Sequence, residues 1–312
     1  MNPCEILLEP HGGLAVNNLN SILHLEEEDF DEDTEALMNF KLSEYYDVDS
    51  IKSYCIGNKH SINIMSINAQ SIFNKIDTLK LQLASFQKQH NFIIHILCIQ
   101  ECHYSKPTQS KDVLELDNYE MFSKISTIGQ KGGIVVYVHN SLTAKELDFF
   151  SNSSNLWEGL SLRISSDSLQ KNIILHTVYR PPREKSGLGA VDHARDNHDK
   201  FMQEFKPYLQ KIKKEQTDTI LLGDLNYNLL ETSSNSMVQE FFDSMIIHEM
   251  MPQITVPTKI NRQSCKLYDH IYTKFRSNLL TDSCVHITDI SDHLPVFISI
   301  NTCQNKKKQK KV

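Results

Sequence analysis

Six short clusters carry side chains suited to acid–base or anion chemistry: Asn68, Glu101, Tyr179-Arg180, Asp224-Leu225-Asn226, Asp269-His270 and Ser291-Asp292-His293. The central one lies in Leu221-Leu222-Gly223-Asp224-Leu225-Asn226-Tyr227-Asn228, where an apolar run ends in glycine and a carboxylate and two carboxamides follow. Asp224 and Asn226 are two apart, so on an extended chain they point the same way. A carboxylate there can take a proton or orient a water, and a carboxamide can donate to an anion. Gly, Asp and Asn are also ordinary turn residues, and this stretch alone leaves both readings open.

The elements that must position these residues follow from periodicity. Ile62–Ile67 alternates as a strand and ends at Asn68. Ile76, Leu79, Leu83 and Phe86 fall at helical spacing within 74–90. Phe92–Ile99 is a buried strand ending in Gln100-Glu101. Further strands are expected at 132–138, entered through Gly132-Gly133, and at 156–164 and 172–178. The last of these is stopped by Pro181-Pro182. Residues 183–197 are polar and read as a loop. Phe201, Phe205, Leu209 and Ile212 form a helical stripe in which Pro207 marks a kink or restart. A strand at 219–222, a helix over 237–247 and strands at 253–256, 267–273 and 295–300 complete the pattern. Each chemical cluster sits at or beside a strand end, where α/β proteins keep their chemistry.

Composition bounds the class. The 312 residues are 40% hydrophobic and 23% charged, which suits a soluble globular protein with a sizeable core. No apolar run approaches a membrane span, and no secretory signal opens the chain. Seven scattered cysteines without a C-x-x-C pair argue for reduced thiols, hence an intracellular setting, nuclear or cytoplasmic. The net charge of −7 is uneven: residues 1–60 hold 13 acidic and 3 basic side chains, and the remainder holds 26 acidic and 29 basic. Residues 1–60 therefore read as an acidic, disordered leader, 61–301 as the structured domain and 302–312 as a basic tail.

The residues Ser66-Ile67-Asn68, Ile99-Gln100-Glu101, Val178-Tyr179-Arg180-Pro181-Pro182, Gly223-Asp224-Leu225-Asn226, Tyr268-Asp269-His270-Ile271 and Ile290-Ser291-Asp292-His293-Leu294-Pro295-Val296, in this order, resemble the endonuclease/exonuclease/phosphatase (DNase I-like) superfamily. The Tyr-Arg-Pro-Pro and Ser-Asp-His-Leu-Pro-Val forms are most similar to endonuclease domains of non-LTR (LINE-type) retrotransposons. The resemblance covers about residues 61–301. It implies a four-layer α/β sandwich, two mainly antiparallel sheets face to face with outer helices, with halves at 61–175 and 176–301.

It further implies a Mg²⁺-dependent endonuclease, with Mn²⁺ as the alternative ion, that nicks a DNA substrate as a monomer. No membrane partner and no nucleotide cofactor are expected. Phosphodiester hydrolysis then divides the work. Glu101 is the metal ligand, assisted by Asn68 and Asp292. Asp224 orients or deprotonates the attacking water and Asn226 bonds a phosphate oxygen. His293 contacts the phosphate, held charged by Asp269, and Tyr179 sits against the scissile phosphate. Arg180 is a candidate for backbone phosphate. His270 and His286 read as structural. Gln70 and Tyr268 depart from the family pattern, which carries an acid and a small aliphatic residue there. The rival readings are an apurinic-site repair endonuclease, a phosphoesterase on the same scaffold, and a non-catalytic interaction protein that keeps the fold.

Overall fold

The computed structural model describes residues 42–48, 50–51, 61–104, 112–128, 131–167, 169, 171–182, 190–277 and 279–301. In chain order, the first run is β1 (Glu44–Tyr46), β2 (Ser61–Asn68), α1 (Ile76–His90), β3 (Ile96–Gln100), β4 (Tyr119–Lys124) and β5 (Ile134–His139). The middle supplies β6 (Thr143–Glu146), β7 (Asn152–Ser153), β8 (Glu158–Ser165), β9 (Ile173–Tyr179), α2 (Ala190–Lys214) and β10 (Asp218–Asp224). The last part holds α3 (Ser236–Ile247), β11 (Met251–Pro252), β12 (Lys259–Ile260), β13 (Cys265–Lys266), β14 (Asp269–Lys274), β15 (Leu280–His286) and β16 (Val296–Asn301).

Two large sheets result. One runs β1-β15-β16-β2-β3-β5-β4, the other β11-β14-β10-β9-β8-β6 with β7 beside β8, and β12-β13 form a small hairpin. Most pairings are antiparallel; β2–β3, β9–β10 and β1–β15 are parallel. Alternation divides each strand between two cores. On β2, Ile62 and Ile64 face the inter-sheet core, while Met65 and Ile67 pack in a second core with Leu79 and Phe86 of α1. Across the second sheet, α2 and α3 lay Phe205, Tyr208 and Phe241 over its outer face. The order is helix, sheet, sheet, helix, the four-layer sandwich that was expected.

Several expectations need correcting. The sheets are not the two halves of the chain: β15 and β16 return to the first sheet, and β6 and β8 already belong to the second. The structured region begins before residue 61. Glu44 pairs with Cys284, and Ser43 N–H donates to Thr255 Oγ1 at 3.0 Å. Most of 1–60, and 302–312, lie outside the described residues. Residues 190–197, read as loop, are the first turns of α2, whose surface carries Arg195–Asp199 at 3.1 Å and Lys200–Asp196 at 2.6 Å. A polar helical face has no apolar stripe to announce it. Pro207 neither ends nor restarts the helix, which runs through it. Residues 253–256 are irregular: the ladder with β14 stops at Met251–Pro252, followed by one bond from Gln253 N–H to the Ile271 carbonyl at 2.7 Å. The polar strands β4, β6 and β15 gave no periodic signal.

Candidate active site

Three side chains of the second sheet stand in one row. Tyr179 ends β9, Asp224 ends β10 and Asp269 opens β14, and Asp224 is the direct register partner of both. Directly opposed residues share a face. Here that face looks inward, because Tyr179 has the parity of Ile173 and Leu175 in the inter-sheet core. Asn68 ends β2 with the parity of Ile62 and Ile64, so its carboxamide points across the sandwich at this row. Its Nδ2 donates to Asp224 Oδ2 at 2.8 Å and to Glu101 Oε1 at 3.0 Å. The Tyr179 hydroxyl donates to the same Glu101 oxygen at 2.9 Å.

Glu101 owes its position to a break in alternation. Continued as a strand, residue 101 would face α1 with Leu97 and Ile99. Its φ of 47° turns the carboxylate toward Asn68 instead. A left-handed φ costs a non-glycine residue about 1–3 kcal/mol. The Glu101 carbonyl is held in this turn by Ser71 N–H at 2.7 Å. Close by, Gly223 has φ 137°, and a Cβ there would lie 1.9 Å from the Val178 carbonyl oxygen. Only glycine fits where β10 delivers Asp224. The chain leaves strand geometry after Asp224, and Asn226 is left-handed at φ 51°. The alternation argument for Asp224 and Asn226 therefore fails. The two are joined instead by an Asx turn, Asn226 N–H to Asp224 Oδ1 at 2.9 Å. One amide N–H of Asn226 holds the Arg180 carbonyl at 2.7 Å, and the amide has a second.

His293, in the segment between β15 and β16, closes the row. Its Nδ1 lies 2.8 Å from Asp269 Oδ2 and 3.9 Å from Asp224 Oδ2. Thr258, which the sequence did not single out, donates its hydroxyl to the same Asp269 oxygen at 2.7 Å. Lys259, also unforeseen, stands 3.0 Å from His293 Nε2 and 2.8 Å from Asp292 Oδ2. A Thr-Lys pair at a hairpin entry has no motif to flag it. Asp292 thus lies at the rim, paired with Lys259, while the other expected site residues join one network, buried except for the half-buried Glu101 and Asn226.

The electrostatics follow from burial. Asp224 is buried and faces Asp269, which raises its pKa to about 7 against the pull of His293 and the Asn68 amide. Burial opposes a charge on His293, but Asp269 and then Asp224 outweigh it and raise the imidazole to about 9. Lys259 acts the other way. Its ammonium stands 3.0 Å from Nε2 and lowers the imidazole's proton affinity, but less than the two carboxylates raise it. Burial, then Glu101 and Asp224, push the Tyr179 phenol upward and keep it a donor.

Asp224, Asp269 and His293 are spaced for a metal ion. Asn68 and Thr258 nevertheless donate into the carboxylate oxygens there, so the group suits a proton rather than a cation. Glu101 fits a cation better. Both of its described hydrogen bonds end on Oε1, and Asn68 Oδ1, which accepts Gln70 N–H at 3.1 Å, keeps a second lone pair. A hard ion taking few carboxylates and keeping its waters suits this set.

Arg180 is neither a surface residue nor a phosphate contact: it is 1% exposed, with its guanidinium 4.3 Å from the Tyr227 ring centroid and 4.8 Å from that of Phe201. His270 bonds the Tyr227 and Leu267 carbonyls, a structural role. The Tyr268 ring lies 6.5 Å from that of His293, near parallel, so the larger residue is accommodated.

The model of the Endonuclease/Exonuclease/phosphatase family matches residues 65–293. No curated protein matches the chain. The fold is similar to that of AP endonuclease LMAP from Leishmania major, with TM-score 0.63, 15% identity, and 93% of this chain and 99% of that one covered. It is similar to the APE2 catalytic domain of Xenopus laevis, with TM-score 0.58, 16% identity and coverage of 77% and 92%. An AP endonuclease from Archaeoglobus fulgidus gives TM-score 0.55, 14% identity and coverage of 76% and 98%. At such identities the likeness concerns the fold alone.

Proposed function

This chain belongs to the Endonuclease/Exonuclease/phosphatase family, and we propose that it is a Mg²⁺-dependent endonuclease that nicks DNA. The observation that carries this is the continuous network from Tyr179 and the half-buried Glu101 through Asn68 and Asp224 to His293 and Asp269. It sets a metal-ready carboxylate at one end and an anion-ready imidazole at the other. Asp224 lies between them, with a proton affinity near neutrality.

In this reading Asp224, oriented by Asn68 and the Asn226 N–H, takes the proton of the attacking water. His293 donates from Nε2 to a non-bridging oxygen, steered by Asp269, and the second amide N–H of Asn226 does the same. Glu101, Asn68 and Asp292 would hold Mg²⁺ or Mn²⁺. When bound, the ion would offset the charge that builds on the phosphate. Tyr179 fixes the Glu101 carboxylate. The Tyr-Arg-Pro-Pro and Ser-Asp-His-Leu-Pro-Val segments support a LINE-type origin, where a nick supplies a 3′-OH for priming. The buried free thiols Cys98 and Cys102 support an intracellular setting. A second reading, abasic-site cleavage, draws on the AP endonucleases among the similar folds.

The test is relaxation of supercoiled plasmid with Mg²⁺. The protein should nick, chelation should stop it, and Asp224→Asn should bind DNA without cutting. Plasmid left intact by both the protein and Glu101→Ala rejects the reading. Faster cleavage of an abasic duplex than of an intact one favours the second.

A further inference from the structure

Nδ1 of His293 is committed to Asp269, so only Nε2 can face a phosphate. The ammonium of Lys259 already occupies that position, 3.0 Å from Nε2. It is shared with Asp292 at 2.8 Å, through side chains 27% and 50% exposed. The backbone beneath is fixed: Lys259 and His293 form an antiparallel bridge, and Leu294 N–H bonds the Thr258 carbonyl at 2.7 Å. The side chain alone is therefore free to swing. Lys75, also near Glu101 and Asp292, is tied to the Ala69 carbonyl at 2.5 Å. Lys259 is thus the cation placed to meet an anion at His293.

We propose that Lys259 is a substrate-binding residue whose ammonium leaves His293 and Asp292 to hold a non-bridging oxygen of the scissile phosphate. The proposal rests on the phosphodiesterase reading above. A partly exposed ion pair is worth only about 0–1 kcal/mol, so a phosphate can displace it readily. Once the ammonium turns to the phosphate, Nε2 is uncovered, and the N–H of the imidazolium that Asp269 holds charged can donate to the same group. Asp292 then acts as the parking position for the lysine in the substrate-free protein. Two cationic donors would converge on one phosphate, where charge builds during attack.

The experiment compares the full chain with Lys259→Met and Lys259→Arg, measuring nicking kcat and KM over a salt series and melting each protein. Loss of one such donor should lower kcat of the Met variant about 10²-fold. The salt slope of its log KM should fall by about 1. The Arg variant should recover most of both, and all three should melt alike. A Met variant with unchanged kcat and salt slope overturns the proposal and leaves the nuclease reading standing. A Met variant with lowered kcat but an intact salt slope, not restored by Lys259→Arg, makes Lys259 a structural tether and also overturns it. If the unmodified protein nicks nothing with Mg²⁺ or Mn²⁺, both readings fall.

Discussion

His293 and Asp269 meet at 2.8 Å with side chains only 4% and 2% exposed, so water cannot substitute for either partner. Asp269→Asn keeps an acceptor for Nδ1 but removes the charge that holds the imidazole up at about 9. A raised imidazole is charged below its pKa and loses that charge as pH climbs through it. The variant should lose about 10²–10⁴ in kcat, and the alkaline fall in its rate should begin at lower pH. A rate–pH profile with an unmoved alkaline limb would remove Asp269 from this role.

Tyr179 tests the other end. Its hydroxyl is one of two donors on Glu101 Oε1. Tyr179→Phe leaves the ring in its place but withdraws a bond to a charged group, worth about 1.5–3 kcal/mol. Nicking should fall roughly tenfold to a hundredfold with little change in melting temperature. Titration of Mg²⁺ against rate should show its midpoint moved to higher Mg²⁺, since a less fixed carboxylate binds the ion more weakly. Wild-type rates would show that the phenol is a bystander.

Acid should destabilise the fold through histidines that do no chemistry. Burial lowers His176 to about 3 and His270 to about 4. Both are neutral when folded and take up a proton on unfolding below about 6.5. Stability is therefore complete above that pH and falls below it, by about 1.4 kcal/mol per pH unit for each group. Urea midpoints measured from pH 7 to 5 should drop, and His176→Asn should flatten the dependence by about one proton. Equal slopes in the two proteins would contradict this.

What the sequence made legible was the identity of the chemical residues and the strands that carry them. Motif order and alternation speak directly to both. It did not show register. That Tyr179, Asp224 and Asp269 are direct neighbours across three strands depends on pairings between segments far apart in the chain. Nor could alternation foresee the left-handed turns at Glu101 and Asn226, which decide where those side chains go. Thr258 and Lys259 were invisible because a hairpin entry beside a proline looks like any loop. The burial of Arg180 could not be read either, because it rests on Phe201 of α2 and Tyr227 after β10, two segments whose meeting is a matter of packing.

Gly223 sets a limit on variation. With φ 137° and the Val178 carbonyl 1.9 Å from any added Cβ, Gly223→Ala meets both a strained backbone and a collision with main chain. The loss should exceed about 3 kcal/mol, enough to threaten a fold of ordinary stability. Thermal melting or soluble yield would register it, and a variant melting within a few degrees of wild type would contradict the packing described.

The return of β16 to the middle of the first sheet, between β15 and β2, has a biosynthetic meaning. Asn68 and Glu101 leave the ribosome early, but His293 can be docked only when the segment that becomes β16 inserts between its two neighbours. That is the last strand of the described chain to be made. A nascent or prematurely terminated polypeptide would hold the carboxylates without the imidazole. Cutting ability would then arrive only with the finished domain, so incomplete translation products would leave nearby nucleic acid intact.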